Sequence, residues 1–251
     1  MNDSRPVLPR EQGPAWPGVR LFATTRAGGV SSGVYRSLNL GMHVGDDPAA
    51  VAENRRRLRA QLPAEPYWLE QVHGTRVADA DREAVPAPAD AAVTRVPGRV
   101  LAIMTADCLP VVIAAEDGGV LGAAHAGWRG LAAGVLEATV AAMASSAALR
   151  AWIGPAIGPA AFEVGDEVRA AFAAVSEPPP GAFVPSGACD GSGAPKWLAD
   201  LPALAEQRLR AAGVRSVVRS GLCTVAGNDR FYSYRKEGQT GRFATLCWLQ
   251  P

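Results

Sequence analysis

The chain has 251 residues, 48% of them hydrophobic, with a formal net charge of +1 from 25 basic and 24 acidic side chains. That length and apolar content suit one large domain or two closely merged halves, with a well-covered core. The near-neutral balance, without a long basic run, speaks against a nucleic-acid or anionic-membrane surface. No apolar run approaches the roughly 20 residues of a spanning helix. The first dozen residues are polar and lack the apolar core of a secretory signal, so a cytoplasmic protein is expected.

In chain order, residues 1–18 read as a flexible N-terminal tail and 19–251 as a single domain. A strand over 19–25 precedes a Gly/Ser loop at 26–33 and a turn-rich stretch at 37–46. Asp47-Pro48 opens a helix reaching about residue 61, with Asp as cap and Pro as first helical residue. A short strand at 68–73 is followed by a surface loop over residues 83–98, which are rich in Ala and Pro. Apolar runs at 99–106, 109–115 and 120–126 read as strands, the last two joined by the turn Asp117-Gly118-Gly119. A helix is expected over 127–145, with Leu131, Val135, Leu136 and Val140 at helical spacing. A strand at 149–153 and a helix at 164–175 follow. Residues 177–195 read as a long loop, and 196–212 as a helix closed by Gly213. Strands at 214–218, 221–225, 230–234 and 243–249 complete the chain. Hairpins beside helical crossovers point to an α+β fold with mixed sheets.

Three histidines occur in the whole chain. His73 lies in Gln71-Val72-His73-Gly74 and His125 in Ala124-His125-Ala126-Gly127-Trp128-Arg129-Gly130. Cys108 lies between them in Ala106-Asp107-Cys108-Leu109-Pro110. Two imidazoles and a thiolate suit zinc with one position open for water or substrate. His73 and His125 end expected strands and Cys108 sits between two of them, rigid places from which side chains can converge. The alternative is that the histidines are hydrogen-bonded core residues and Cys108 a small buried hydrophobe. Asp107 would orient an imidazole or carry a proton, or else cap a turn. His43 reads as a supporting loop residue rather than a fourth ligand.

Arg129, at the expected start of a helix, is a candidate for holding an anion, unless it is simply solvated. Residues 154–159 contain two prolines and read as a rigid pocket wall. On a strand at 230–235, Phe231, Ser233 and Arg235 would face one way and Tyr232 and Tyr234 the other. Asn39, His43 and Arg235 are the candidates for binding substrate. Four cysteines do not make a disulfide framework. Cys189 and Cys247 read as non-catalytic.

The stretches SLNLGMHVGD, WLEQVHG, MTADCLPVVI, AAHAGWRGL, IGPAIGPAAFEVGDEV and RFYSYRKEGQTGRFA resemble, in this order, the bacterial laccase-domain family. Its members are variously called polyphenol oxidases, purine nucleoside phosphorylases and peptidoglycan editing factors. The resemblance runs over nearly the whole chain from about residue 19 to residue 250. It implies a sandwich of mixed sheets with helices outside and a zinc site of His73, Cys108 and His125. It also implies phosphorolysis of adenosine, inosine and methylthioadenosine to the free base and ribose 1-phosphate or its methylthio analogue. Deamination of adenosine is attributed to the family as well. Laccase chemistry fits poorly, since a multicopper set needs far more histidines than three. A single copper bound by two histidines and a cysteine, with Met42 or Met104 axial, is formally compatible but less expected than zinc. Purine nucleosides and phosphate are thus the expected partners, with neither nucleic acid nor membrane. The rivals are a hydrolase acting on a cell-wall peptide precursor, a thiol hydrolase built on Cys108, and a zinc-stabilised binding module with Cys223 or His43 as fourth ligand.

Overall fold

The structure, a computed structural model, describes residues 7–85 and 87–251. β1 (Arg10–Gln12) pairs antiparallel with β2 (Val19–Thr24), and Leu8 is buried, so the latter part of the expected tail is tied to the fold. The rest of that tail, residues 1–6, lies outside the described residues.

Asp47 caps α1 (Pro48–Arg59) by accepting from the Ala49 N–H at 2.9 Å, with Pro48 in the first turn. β3 (Tyr67–Glu70), β4 (Val77–Asp79), β5 (Ala87–Pro88), β6 (Ala91–Thr94), β7 (Leu101–Thr105), β8 (Leu109–Ala115) and β9 (Leu121–Ala126) follow. Next come α2 (Trp128–Ala133), α3 (Val135–Met143), β10 (Leu149–Ile153), β11 (Glu163–Val164), α4 (Asp166–Ala173), β12 (Phe183–Cys189) and β13 (Pro195–Ala199). α5 (Leu201–Ala211), β14 (Val214–Arg219), α6 (Tyr234–Glu237) and β15 (Phe243–Leu249) close the described chain.

One six-stranded sheet has the order β1-β2-β15-β7-β3-β5, another β14-β10-β8-β9-β6-β4, and β11-β13-β12 form a small third sheet. Both large sheets are mixed: β3 is parallel to β7, which is antiparallel to β15, while β10 is parallel to β14 and antiparallel to β8. β8 shows why the molecule is layered. Its residues are buried on both faces, as its unbroken apolar sequence requires. Leu109, Val111 and Ile113 pack with Leu131, Leu136 and Leu204 of the helices. Val112 and Ala114 pack with Leu101, Ile103 and Phe243 of the other large sheet. The far face of that sheet, through Phe22, Met104 and Leu246, meets Leu58 of α1 and Leu38 and Leu40. The result is the expected α+β sandwich, helix against sheet against sheet against helices.

Several elements depart from expectation. Residues 83–98 are not a surface loop: Ala91–Thr94 is a buried strand paired with β9. The helix expected over 127–145 is broken at Gly134, whose φ of 101° no ordinary residue adopts comfortably. Residues 183–199 form an antiparallel hairpin, and α5 starts only at Leu201, where Asp200 accepts from the Ala203 N–H at 2.8 Å. Residues 221–225 contribute a single bridge, Ala156 to Cys223. The strand expected over 230–234 is absent. Phe231 and Tyr232 are both buried, and Ser233 caps α6 by accepting from the Lys236 N–H.

Candidate metal centre

The register of β8 against β9 sets the site. Leu109 pairs with Ala126 and Pro110 with His125, so Cys108, just ahead of β8, faces the turn at Gly127. His73 follows β3, carried on a left-handed backbone with φ 62°. One donor atom each from His73, Cys108 and His125 lies within 4.8 Å of the others, and Cys108 Sγ is 3.9 Å from His73 Nε2. Donor atoms around a tetrahedral zinc stand roughly 3.3 to 3.6 Å apart, given the usual Zn–N and Zn–S lengths. The trio is therefore within a small closure of binding geometry, and its donor set is one zinc takes. His125 is buried, Cys108 half-buried and His73 exposed, so the trio has a solvent-facing side where a fourth position would lie.

Gly127 makes the gathering possible. A Cβ there would fall 2.8 Å from His73 Cδ2 and 3.0 Å from Cys108 Sγ. Electrostatics prepare the donors. Burial alone would push the Cys108 thiol up, but the charges and hydrogen bonds of His125 and then His73 pull it down to about 6. Burial disfavours the His125 imidazolium, yet the Cys108 thiolate and Asp90 raise it to about 9.

The trio opens into a cavity of about 400 Å³ that also holds His43, Asp107, Arg129, Arg235 and Arg242. Burial, then Arg242 and Arg55, push the His43 imidazole down. Both carboxylate oxygens of Asp107 are engaged, by the Thr224 hydroxyl and by the Arg235 N–H, each at 2.6 Å. Asp107 therefore ties the 222–224 segment and α6 to the turn that carries Cys108. Arg129 lies over the Trp128 ring at 4.4 Å. Arg235 donates to the carbonyls of Ala161 and Glu163 at 3.2 and 2.9 Å. Arg242 donates to the carbonyls of Thr240 and Gly241. None of these three arginines forms an ion pair with a carboxylate among the described residues.

Asn39 does not reach the cavity. It is fully buried, accepts from the Arg242 N–H at 2.8 Å and donates to Asp46 at 2.9 Å, so it supports Arg242 from behind. Cys223 faces a separate cavity of about 540 Å³ that shares only Ile157 with the first. That cavity has apolar walls, and its Arg219 is already paired with Glu206 and Asp200. Met42 is exposed and the Met104 sulfur accepts from Arg55 at 3.7 Å, so neither is held ready as an axial ligand. Cys247 is fully buried and its thiol is pushed up by burial; Cys189 is exposed.

Two residues escaped the sequence reading. Asp90 is buried and bonded to His125 Nδ1 at 2.8 Å. Its signal is a lone carboxylate within the small apolar run Ala89-Asp90-Ala91-Ala92-Val93. Arg242, in the turn 238–242, was not among the residues singled out for binding substrate.

The family model described as "Multi-copper polyphenol oxidoreductase laccase" matches residues 20–250. A purine nucleoside phosphorylase of Pseudomonas aeruginosa is 52% identical over 241 residues, covering 94% of this chain and 97% of its own length. The purine nucleoside phosphorylase YfiH of Escherichia coli is 49% identical over 243 residues, with the same coverages of 94% and 97%. A crystal structure of a Neisseria meningitidis protein superposes with a TM-score of 0.88 at 45% identity, covering 97% of this chain and 99% of that one. YlmD from Geobacillus stearothermophilus superposes with a TM-score of 0.84 at 32% identity, covering 95% and 94%.

Proposed function

From its place in the multi-copper polyphenol oxidoreductase laccase family, to which this chain belongs, we propose a zinc-dependent purine nucleoside phosphorylase. Its substrates would be adenosine, inosine and methylthioadenosine, with phosphate as the second reactant. The curated relatives carry that enzyme name. The observation that carries the reading is the cavity wall: three arginines with no carboxylate partner among the described residues stand beside a His-Cys-His trio. Such a wall suits a dianion, which phosphorolysis needs and hydrolysis does not.

Arg129 and Arg242 would hold the phosphate oxygens by charge-assisted hydrogen bonds. Phe162 and Tyr234 offer aromatic faces in the same cavity for a purine ring. Arg235, like Arg242, donates to two carbonyls through Nη1 and would add a third cation to the phosphate site. His43, held neutral by its surroundings, could accept or donate a hydrogen bond to ribose. Zinc held by His73, Cys108 and His125 would supply positive charge and one exchangeable coordination position. Adenosine deamination would need a proton carrier, and Asp107, the candidate, has both oxygens occupied. Phosphorolysis is the reading the geometry favours.

One observation favours a rival. Cys108 beside His125 has the charge pairing of a thiol nucleophile, the arrangement a hydrolase of cell-wall peptide precursors would use. The purified protein, incubated with each nucleoside and with a cell-wall precursor, separates the two. Base release that requires phosphate and stops with a chelator supports phosphorolysis. Precursor cleavage by metal-free protein, lost in Cys108→Ala, would establish the rival instead.

A further inference from the structure

Asp90 takes no part in the chemistry above, yet its placement is unusual. It stands between β5 and β6 with its side chain fully buried, and its two oxygens receive four donors. Oδ1 accepts from His125 Nδ1 at 2.8 Å and from the His73 N–H at 2.9 Å. Oδ2 accepts from the N–H groups of Val72 at 3.1 Å and Gly74 at 2.6 Å. The main chain adds a fifth link, from the His125 N–H to the Asp90 carbonyl at 2.7 Å.

Two consequences follow. Three successive N–H groups turned on one anion form a nest, and this nest encloses the left-handed backbone of His73 at φ 62°. A non-glycine residue holds that conformation only where its surroundings fix it. Second, an ionised carboxylate only accepts, so its contact keeps a proton on His125 Nδ1, and Nε2 is the nitrogen whose lone pair is freed for a metal when the imidazolium gives up its other proton. His73 likewise turns Nε2 toward Cys108.

We propose that Asp90 is the positioning residue of the metal centre: one buried carboxylate sets the tautomer of His125 and, through the main chain of residues 72–74, the placement of His73. Both imidazoles thereby present Nε2 to one ion. This rests on the metal reading of the trio and not on the identity of the substrate.

Asparagine at this position separates positioning from mere burial. It has one accepting and one donating end. With its NH2 toward His125, the imidazole must accept at Nδ1, and the proton moves to Nε2 and blocks ligation. With its NH2 toward Val72 and Gly74, N–H meets N–H and the turn carrying His73 opens. Zinc affinity, measured by chelator competition, should fall roughly 10- to 100-fold in Asp90→Asn. Asp81 is a fitting control: it too accepts from a main-chain N–H, that of Arg95, beside the Thr94 hydroxyl, away from the trio. Asp81→Asn should keep wild-type zinc affinity. Should Asp90→Asn fail to fold, nitrogen-edited NMR of the zinc-loaded wild type decides, with a hydrogen-bonded proton on His125 Nδ1 and zinc on Nε2 expected. Unchanged affinity in Asp90→Asn, or zinc on Nδ1 of His125, overturns the proposal. A wild type that binds no zinc removes the metal reading and the proposal together, whereas phosphorolysis is judged by its own assay.

Discussion

Gly127 is where a single atom decides the most. A Cβ there would press on His73 and Cys108 together, so Gly127→Ala should weaken zinc binding roughly ten-fold or more while leaving the fold intact. Chelator competition beside a thermal melt would show both. The donors also make a pH prediction. With Cys108 pulled down to about 6 and His125 raised to about 9, the metal-free trio between those values is a thiolate beside an imidazolium. Metal binding must then expel the proton of His125. Calorimetry in buffers of different ionisation enthalpy should report about one proton released between pH 6 and 9. Affinity should fall as pH drops through that window, and more steeply below it as the thiol protonates. Release of no proton at pH 7.5 would mean the pairing is wrong. Arg242 yields a third prediction: Arg242→Met should raise the KM for phosphate roughly 10- to 100-fold with a smaller change in KM for the nucleoside. Steady-state kinetics with each reactant varied separately would check it.

At the level of elements, Gly134 separates α2 from α3 with a left-handed turn that lets α3 lie on β9 and β6. Gly134→Ala should cost about 1–2 kcal/mol in denaturant unfolding without altering metal stoichiometry. This break was hidden because Leu131, Val135 and Leu136 keep helical spacing across it. Elsewhere legibility followed burial. β8, β10 and β15 were readable because apolar runs buried on both faces admit few other structures. Residues 83–98 were misread because their prolines and aspartate resemble loop chemistry, while their alanines are small enough for β6 to pack between sheet and helices. That misreading hid Asp90. The hairpin at 183–199 is largely exposed, and its Pro, Gly and Ser content carries no hydrophobic alternation. Residues 230–234 alternate in chemistry but not in direction, because the Ser233 cap turns the chain into α6 before a strand can form.

Across the whole molecule, the two large sheets act as a rigid frame for residues far apart in the chain. β8 and β9 bring Cys108 and His125 together, while the loop after β3 delivers His73 from the neighbouring sheet. The trio was visible in sequence because each member stands in a short motif beside an apolar run, although β3 ends at Glu70, short of the expected His73. The cationic wall was only partly visible, since Arg129 and Arg235 stood out and Arg242 acquires its place through Asn39. Among the described residues no helix is long and apolar enough to cross a membrane, and the layered core accounts for the buried apolar runs instead. The most direct test is a titration. Metal-free protein is mixed with inosine and phosphate, and hypoxanthine is followed as zinc is added. Release should rise linearly and saturate at one zinc per chain. Full hypoxanthine release by chelator-stripped protein, or none at any zinc level, would contradict a catalytic metal at His73, Cys108 and His125.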